Sequence, residues 1–114
     1  MIFIIDDDKM MAECIARACE PSKARIFANA IDVAEALNNE LPDLIFLDIL
    51  LDGPDGFTLL NELASYTDTA QIPVVIVSSL DFKGQDLTNY GVVGVLDKNK
   101  MTPQEIKGYA KQYA

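Results

Sequence analysis

Three short runs of uninterrupted apolar residues recur along the chain: Ile2-Phe3-Ile4-Ile5, Leu44-Ile45-Phe46-Leu47 and Val74-Val75-Ile76-Val77. A strand with one face in water alternates apolar and polar side chains, so runs without alternation suit strands covered on both faces, as in a parallel sheet. Ala24 to Phe27 and Gly94 to Leu96 are weaker candidates of the same kind. Between these runs the spacing turns helical. Met11, Ile15 and Ala18 share one face before Pro21, Ile31, Ala34 and Leu37 share one before Pro42, and Phe57, Leu60 and Leu63 share one after Gly56. Near the end, Thr102-Pro103-Gln104-Glu105 puts a hydroxyl at a helix cap, proline at the first helical position and glutamate at the third. That capping box predicts a terminal helix to about Tyr113. Gln85 to Tyr90, bracketed by Gly84 and Gly91, reads as a short fourth helix or a loop. Strands alternating with helices imply parallel pairing through right-handed crossovers, with binding sites beyond the strand C-terminal ends.

Length and composition narrow the function classes. The 114 residues suit one domain, residues 1–114, and a chain that is half hydrophobic and about a quarter charged should fold as a globular unit. The net charge of −9 and scattered Lys and Arg argue against direct binding to nucleic acid. No apolar run approaches the ~20 residues needed to span a bilayer, and three aspartates follow the N-terminal run, unlike a signal peptide. A cytoplasmic protein without membrane insertion is expected. Cys14 and Cys19 lie roughly 140° apart around a helix, a poor arrangement for a shared metal, so buried free thiols are expected. With no histidine in the chain, carboxylates, hydroxyls and lysines must carry any chemistry.

Those groups collect at the predicted strand ends. The first strand ends in Asp6-Asp7-Asp8, the third in Asp48, the fourth in Ser78-Ser79 and the fifth in Asp97-Lys98. Two carboxylates ~4 Å apart repel by roughly 4 kcal/mol at an effective dielectric near 20, so such a cluster needs a cation. Oxygen-only coordination favours magnesium, Mg2+, which keeps several waters and accepts a phosphate oxygen. Taken singly, Asp8 and Asp55 read as helix caps, Ser78 as a loop hydroxyl and Lys98 as a solvated charge. Their occurrence at successive strand ends is what points to a site.

In that order the chain resembles, over essentially its whole length, the receiver domains of bacterial two-component response regulators, of the stand-alone, chemotaxis-regulator-like kind. An acidic pair follows strand one, an Asp strand three, a Ser strand four and a Lys strand five, and Asp55-Gly56 follows Asp48 at the family's interval. The resemblance implies an α/β fold: a doubly wound, flavodoxin-like five-stranded parallel sheet of order 2-1-3-4-5. It implies Asp48 as phosphoacceptor, with Ser78 and Lys98 assisting. Asp6, Asp7, Asp48 and the backbone carbonyl of Leu50 would hold Mg2+, Asp7 more directly than Asp6. It further implies a histidine kinase or histidine phosphotransfer protein as donor and a downstream protein target. On this reading the chain is a signalling phosphoacceptor, with self-phosphorylation from a donor and slow self-dephosphorylation as its only catalysis.

The chain departs from the family at defined points. Val95 stands where an aromatic residue usually lies three positions before the lysine, and Asn99 stands where a cis proline usually follows it. The loop after strand five is therefore expected to differ, with Lys100 a lesser candidate for the salt-bridging role. Asp52 replaces a common proline, Pro54 follows two residues later, and Ser79 replaces a small residue. Leu50 and Leu80 occupy positions flanking the path of the hydrolytic water, so they are expected to shield an acyl phosphate and slow its hydrolysis. Two other functions fit parts of the pattern. A degenerate receiver would bind partners without phosphorylation. A haloacid-dehalogenase-like phosphatase would use Asp6, Asp8, Ser78 and Lys98, leaving Asp48 without a role.

Overall fold

A computed structural model of the protein describes residues 1–49, 56–79 and 87–114, with Thr88 described by its backbone alone. Five strands, β1 (Ile2–Ile5), β2 (Ala24–Phe27), β3 (Leu44–Asp48), β4 (Val74–Ser78) and β5 (Val92–Asp97), alternate with helices α1 (Lys9–Ala18), α2 (Ala30–Leu37), α3 (Gly56–Ser65) and α4 (Pro103–Tyr113). A short 3-10 turn, Thr88–Tyr90, precedes β5. The strands pair in parallel in the order β2-β1-β3-β4-β5.

The unbroken apolar runs are the strands, and their depth explains why. Every residue of β1, β3 and β4 is buried, because helices cover both faces of the sheet centre. Alternate side chains then feed two cores. Phe3, Ile5, Ile45, Leu47 and Ile76 pack with Val33 of α2 and with Leu59, Leu60 and Leu63 of α3. Ile2, Ile4, Phe46, Val75 and Val77 pack on the opposite face with Ala12 and Ile15 of α1 and Ile106 and Ala110 of α4. A one-residue slip of any central strand would exchange the two sets.

The helix starts follow local chemistry. Asp8 caps α1, its carboxylate accepting from the Met11 amide, and Asn29 caps α2 through the Asp32 amide. Thr102 and Glu105 form the reciprocal box that opens α4. β5 is longer than its apolar signal, because Val93 and Val95 lie at the edge of the sheet, 39% and 43% exposed.

Two expectations need correction. Cys14 is exposed and only Cys19 is buried, both as free thiols, because Cys14 falls on the solvent side of α1. Of the face shared by Ile31, Ala34 and Leu37, Leu37 only borders the core. Ile31 is 66% exposed and Ala34 is exposed too, while Ala30 and Val33 fill the space against the sheet. Gln85 lies outside the described residues, so of the segment to Tyr90 only the 3-10 turn is seen.

Candidate functional site

Parallel pairing sets the strand C-terminal ends side by side. Ile5 is in register with Leu47, and Asp48 with Val77, so the residues following β1 and ending β3 and β4 emerge at one edge. Ser78 is in register with Asp97, which brings the end of β5 alongside. One carboxylate oxygen from each of Asp6, Asp7 and Asp48 lies within 4.8 Å of the others. Asp6 and Asp48 are buried, at 2% and 3% exposure, while Asp7 faces solvent.

Lys98 closes the group. Its ammonium donates to Asp48 Oδ2 at 3.0 Å and stands 3.1 Å from Asp6 Oδ2. The Asp6 contact is an ion pair without hydrogen-bond alignment, so Asp6 Oδ2 is buried yet accepts no directed hydrogen bond from a described residue. The other Asp6 oxygen accepts from the Asp8 amide at 2.9 Å. Burial pushes the Asp6 carboxyl above its ordinary pKa. The Asp8 amide and Lys98 oppose that shift, while the charge of Asp48 adds to it. For Lys98 burial works downward, but the hydrogen bond to Asp48 and the close negative charges of Asp6 and Asp48 outweigh it and hold the ammonium above its ordinary value. Lys98 is therefore charged across the physiological range.

Three carboxylates against one ammonium leave an excess of negative charge in a partly buried space. With an under-used oxygen on Asp6 and an exposed carboxylate on Asp7, the cluster fits a hard divalent cation: it is all oxygen, and water can reach it. Leu50, whose carbonyl is the remaining expected ligand, lies outside the described residues, as do Asp52, Pro54, Asp55 and Leu80.

Ser78 is wholly buried at the end of β4, and its carbonyl accepts from the Lys98 amide at 3.0 Å, tying the loop after β5 to the end of β4. Ser79 is exposed. Lys100 is exposed and makes no salt bridge with a described residue. The Lys98–Asn99 bond is trans, and Asp97 shapes the loop instead. Its side chain accepts from the Asn99 amide at 2.8 Å, and its carbonyl accepts from the amides of Lys100 and Met101. An Asp side chain accepting from the backbone amide two residues on is an Asx-turn. Asp8 caps α1 and lies outside the acidic cluster, whereas Asp48, which the phosphatase pattern leaves without a role, stands inside it.

Gly56 is a positioning element. A Cβ there would lie 2.6 Å from Ile49 Cα and 2.9 Å from the Asp48 carbonyl, so only glycine lets α3 start this close to the end of β3. The Gly56 amide donates to the Ile49 carbonyl at 3.0 Å, fixing that approach.

Comparison with known proteins agrees with this fold. Residues 2–111 match the family model described as the response regulator receiver domain. A protein-glutamate methylesterase/protein-glutamine glutaminase of Rhodopseudomonas palustris is 31% identical over 112 residues, covering 91% of this chain and 30% of its own length. The receiver domain of NtrX from Brucella abortus superposes with a TM-score of 0.83 at 24% identity, covering 99% of this chain and 97% of that one. A phosphorylated cyanobacterial phytochrome response regulator, RcpA, gives a TM-score of 0.80 at 25% identity, covering 98% and 91%. The chain spans from about a fifth to under a third of the first curated relatives it matches.

Proposed function

The chain belongs to the response regulator receiver domain family, and from that premise we propose that it accepts a phosphoryl group on Asp48 and passes the signal to a partner protein. The observation that carries this is the pairing of the buried Asp48 carboxylate with Lys98 beside two further carboxylates, at the mouth of a parallel sheet. The phosphorylated state of RcpA, a relative at 25% identity, supports the same reading.

Asp6, Asp7 and Asp48 are the residues that would hold Mg2+, with the Leu50 carbonyl as a further ligand from the adjoining loop. When bound, a divalent cation supplies positive charge against the oxygens of an incoming phosphoryl group. The protein's own groups do the rest. An Asp48 oxygen attacks phosphorus in line, the bond from phosphorus to the donor's leaving group breaks, and an acyl phosphate remains. Lys98 shifts its hydrogen bond and ion pair from the Asp48 oxygen to a phosphoryl oxygen, so no charge is stranded in the buried space. The Ser78 hydroxyl donates to another phosphoryl oxygen. Because the Lys98 amide is bonded to the Ser78 carbonyl, both groups move with the same pair of loops, which couples the chemistry to the surface that partners read.

A sensor histidine kinase or histidine phosphotransfer protein is the proposed donor, and turnover is limited to slow loss of the phosphoryl group. Shielding by Leu50 and Leu80 remains part of this proposal: Leu50→Asn should shorten the phosphoprotein's lifetime, and an unchanged or longer lifetime contradicts it. The principal experiment is intact-mass measurement after exposure to a small phosphodonor. One phosphoryl group should be gained with Mg2+, and none with chelator or in Asp48→Asn. No gain under any condition favours a degenerate receiver that binds partners without phosphorylation.

A further inference from the structure

The negative charge is not spread along the chain. Between Arg25 and Lys83 there is no Lys or Arg, yet this stretch holds ten of the eighteen Asp and Glu, leaving eight acidic residues against nine basic elsewhere. It includes α2 and α3, which among the described residues are the helices packed on one face of the sheet.

Between these two helices runs an open groove of about 700 Å³. Some of its apolar side chains lie outside the core, and others belong to it. Ile31 and Tyr66 are 66% and 65% exposed, and Ala34 is exposed between them on α2, with Leu59 and Leu63 lining the groove from α3. Glu35, Glu62 and Asp68 also line it, all exposed, and among the described residues no basic one does. One end is firm: buried Thr69 donates its hydroxyl to the Leu63 carbonyl at 2.6 Å. The lining residues on α2 run from Ile31 to Asn38, ~10 Å of helix, or about two turns.

We propose that this groove docks a cationic amphipathic helix of a partner protein, with apolar residues at helical spacing against Ile31 and Tyr66 and Lys or Arg toward Glu35, Glu62 and Asp68. An apolar strip rimmed by charge of one sign selects for that chemistry. Nucleic acid and anionic membrane are repelled by the same rim. The groove contains none of Asp6, Asp7, Asp48, Ser78 or Lys98, so the proposal stands apart from the phosphoryl-accepting reading.

The test is titration of the full chain, wild type and Asp48→Asn alike, with a synthetic helix of ~14 residues, leucine at helical spacing and lysine on the flanks. A second peptide carries glutamate for every lysine. Backbone amide NMR should show saturable shifts confined to residues 31–38 and 59–69, weakened by salt, equal in both proteins and absent with the glutamate peptide. Glu35→Lys with Glu62→Lys should weaken binding at least tenfold. Both positions are exposed, and unchanged thermal unfolding shows that the fold survives. Four results overturn the proposal: no saturable shifts at millimolar peptide, shifts centred on Asp6 and Asp7, equal binding of the two peptides, or self-association lost in Ile31→Glu, which would assign the groove to a second copy of this chain.

Discussion

Replacing Lys98 with methionine keeps the length and apolar stem of the side chain and removes its charge. The ammonium lies 3.0 Å from Asp48 Oδ2 and 3.1 Å from Asp6 Oδ2, with the lysine side chain 18% exposed and the carboxylates 4% and 1%. Each contact corresponds to ~5 kcal/mol of gross attraction at an effective dielectric near 20. Desolvation offsets most of that, and removing one partner of a buried pair costs ~3–5 kcal/mol, chiefly from the charge left behind. The partial exposure of Lys98 puts the expected loss at the lower end, about 3 kcal/mol at neutral pH in chelator. Burial already holds the folded-state pKa of Asp6 above its ordinary value. Its contribution to stability is therefore present in full below the ordinary carboxylate range and lost as pH rises through the raised value. In Lys98→Met that rise is larger, so acidification should restore part of the lost stability, and so should magnesium at neutral pH. Urea unfolding of both proteins at pH 4.5 and 7, with chelator or magnesium, measures this. A loss under ~0.5 kcal/mol at pH 7, or a loss untouched by acid and by magnesium, refutes the electrostatic account of the site.

Other consequences are equally direct. Asp7→Asn, at an exposed position, should leave stability in chelator within ~0.5 kcal/mol while weakening magnesium binding at least tenfold, read by titration calorimetry. Gly56→Ala drives a methyl group into the backbone of Ile49 and Asp48. It should destabilise by at least ~2 kcal/mol in denaturant unfolding and slow phosphorylation as well; a change below ~0.5 kcal/mol would mean that α3 does not need this approach. At pH 9 the exposed Cys14 should react with a thiol reagent at once, while Cys19, pushed by burial to about 11, should react only on unfolding. The folded-state pKa of Cys19 is raised, so its stabilising contribution is complete below pH 9 and fades toward pH 11. Cys19→Ala should accordingly show a flatter alkaline stability limb than wild type.

Much of this was legible in the sequence because two signals agreed. Uninterrupted apolar runs marked strands buried on both faces, and chemistry-bearing residues followed all three of those runs and the weaker Gly94 to Leu96 stretch directly, so sheet topology alone could gather them. Asp6, Asp7, Asp48 and Lys98 come together for that reason. What was hidden depends on distances across the fold. Helical spacing grouped Ile31 with Ala34 and Leu37, but which of two adjoining apolar faces meets the sheet is settled by packing, and Ala30 and Val33 took that place. The same limit applied to Cys14. Gly56 carried no sign of its close approach to Ile49, since only the folded backbone shows what a Cβ would strike. The Asx-turn at Asp97 was not anticipated, although an aspartate can accept from the amide two residues on, and it anchors the loop after β5 locally.

The central claim concerns one atom group, the Asp48 carboxylate, and it can be read out chemically. After treatment with a phosphodonor and magnesium, borohydride reduces an aspartyl phosphate to homoserine, and peptide mass spectrometry locates the product. The account predicts conversion at position 48 alone, absent in chelator. Conversion at Asp6, Asp7 or another carboxylate, or none while Asp48 stays accessible to the reagents, would contradict it.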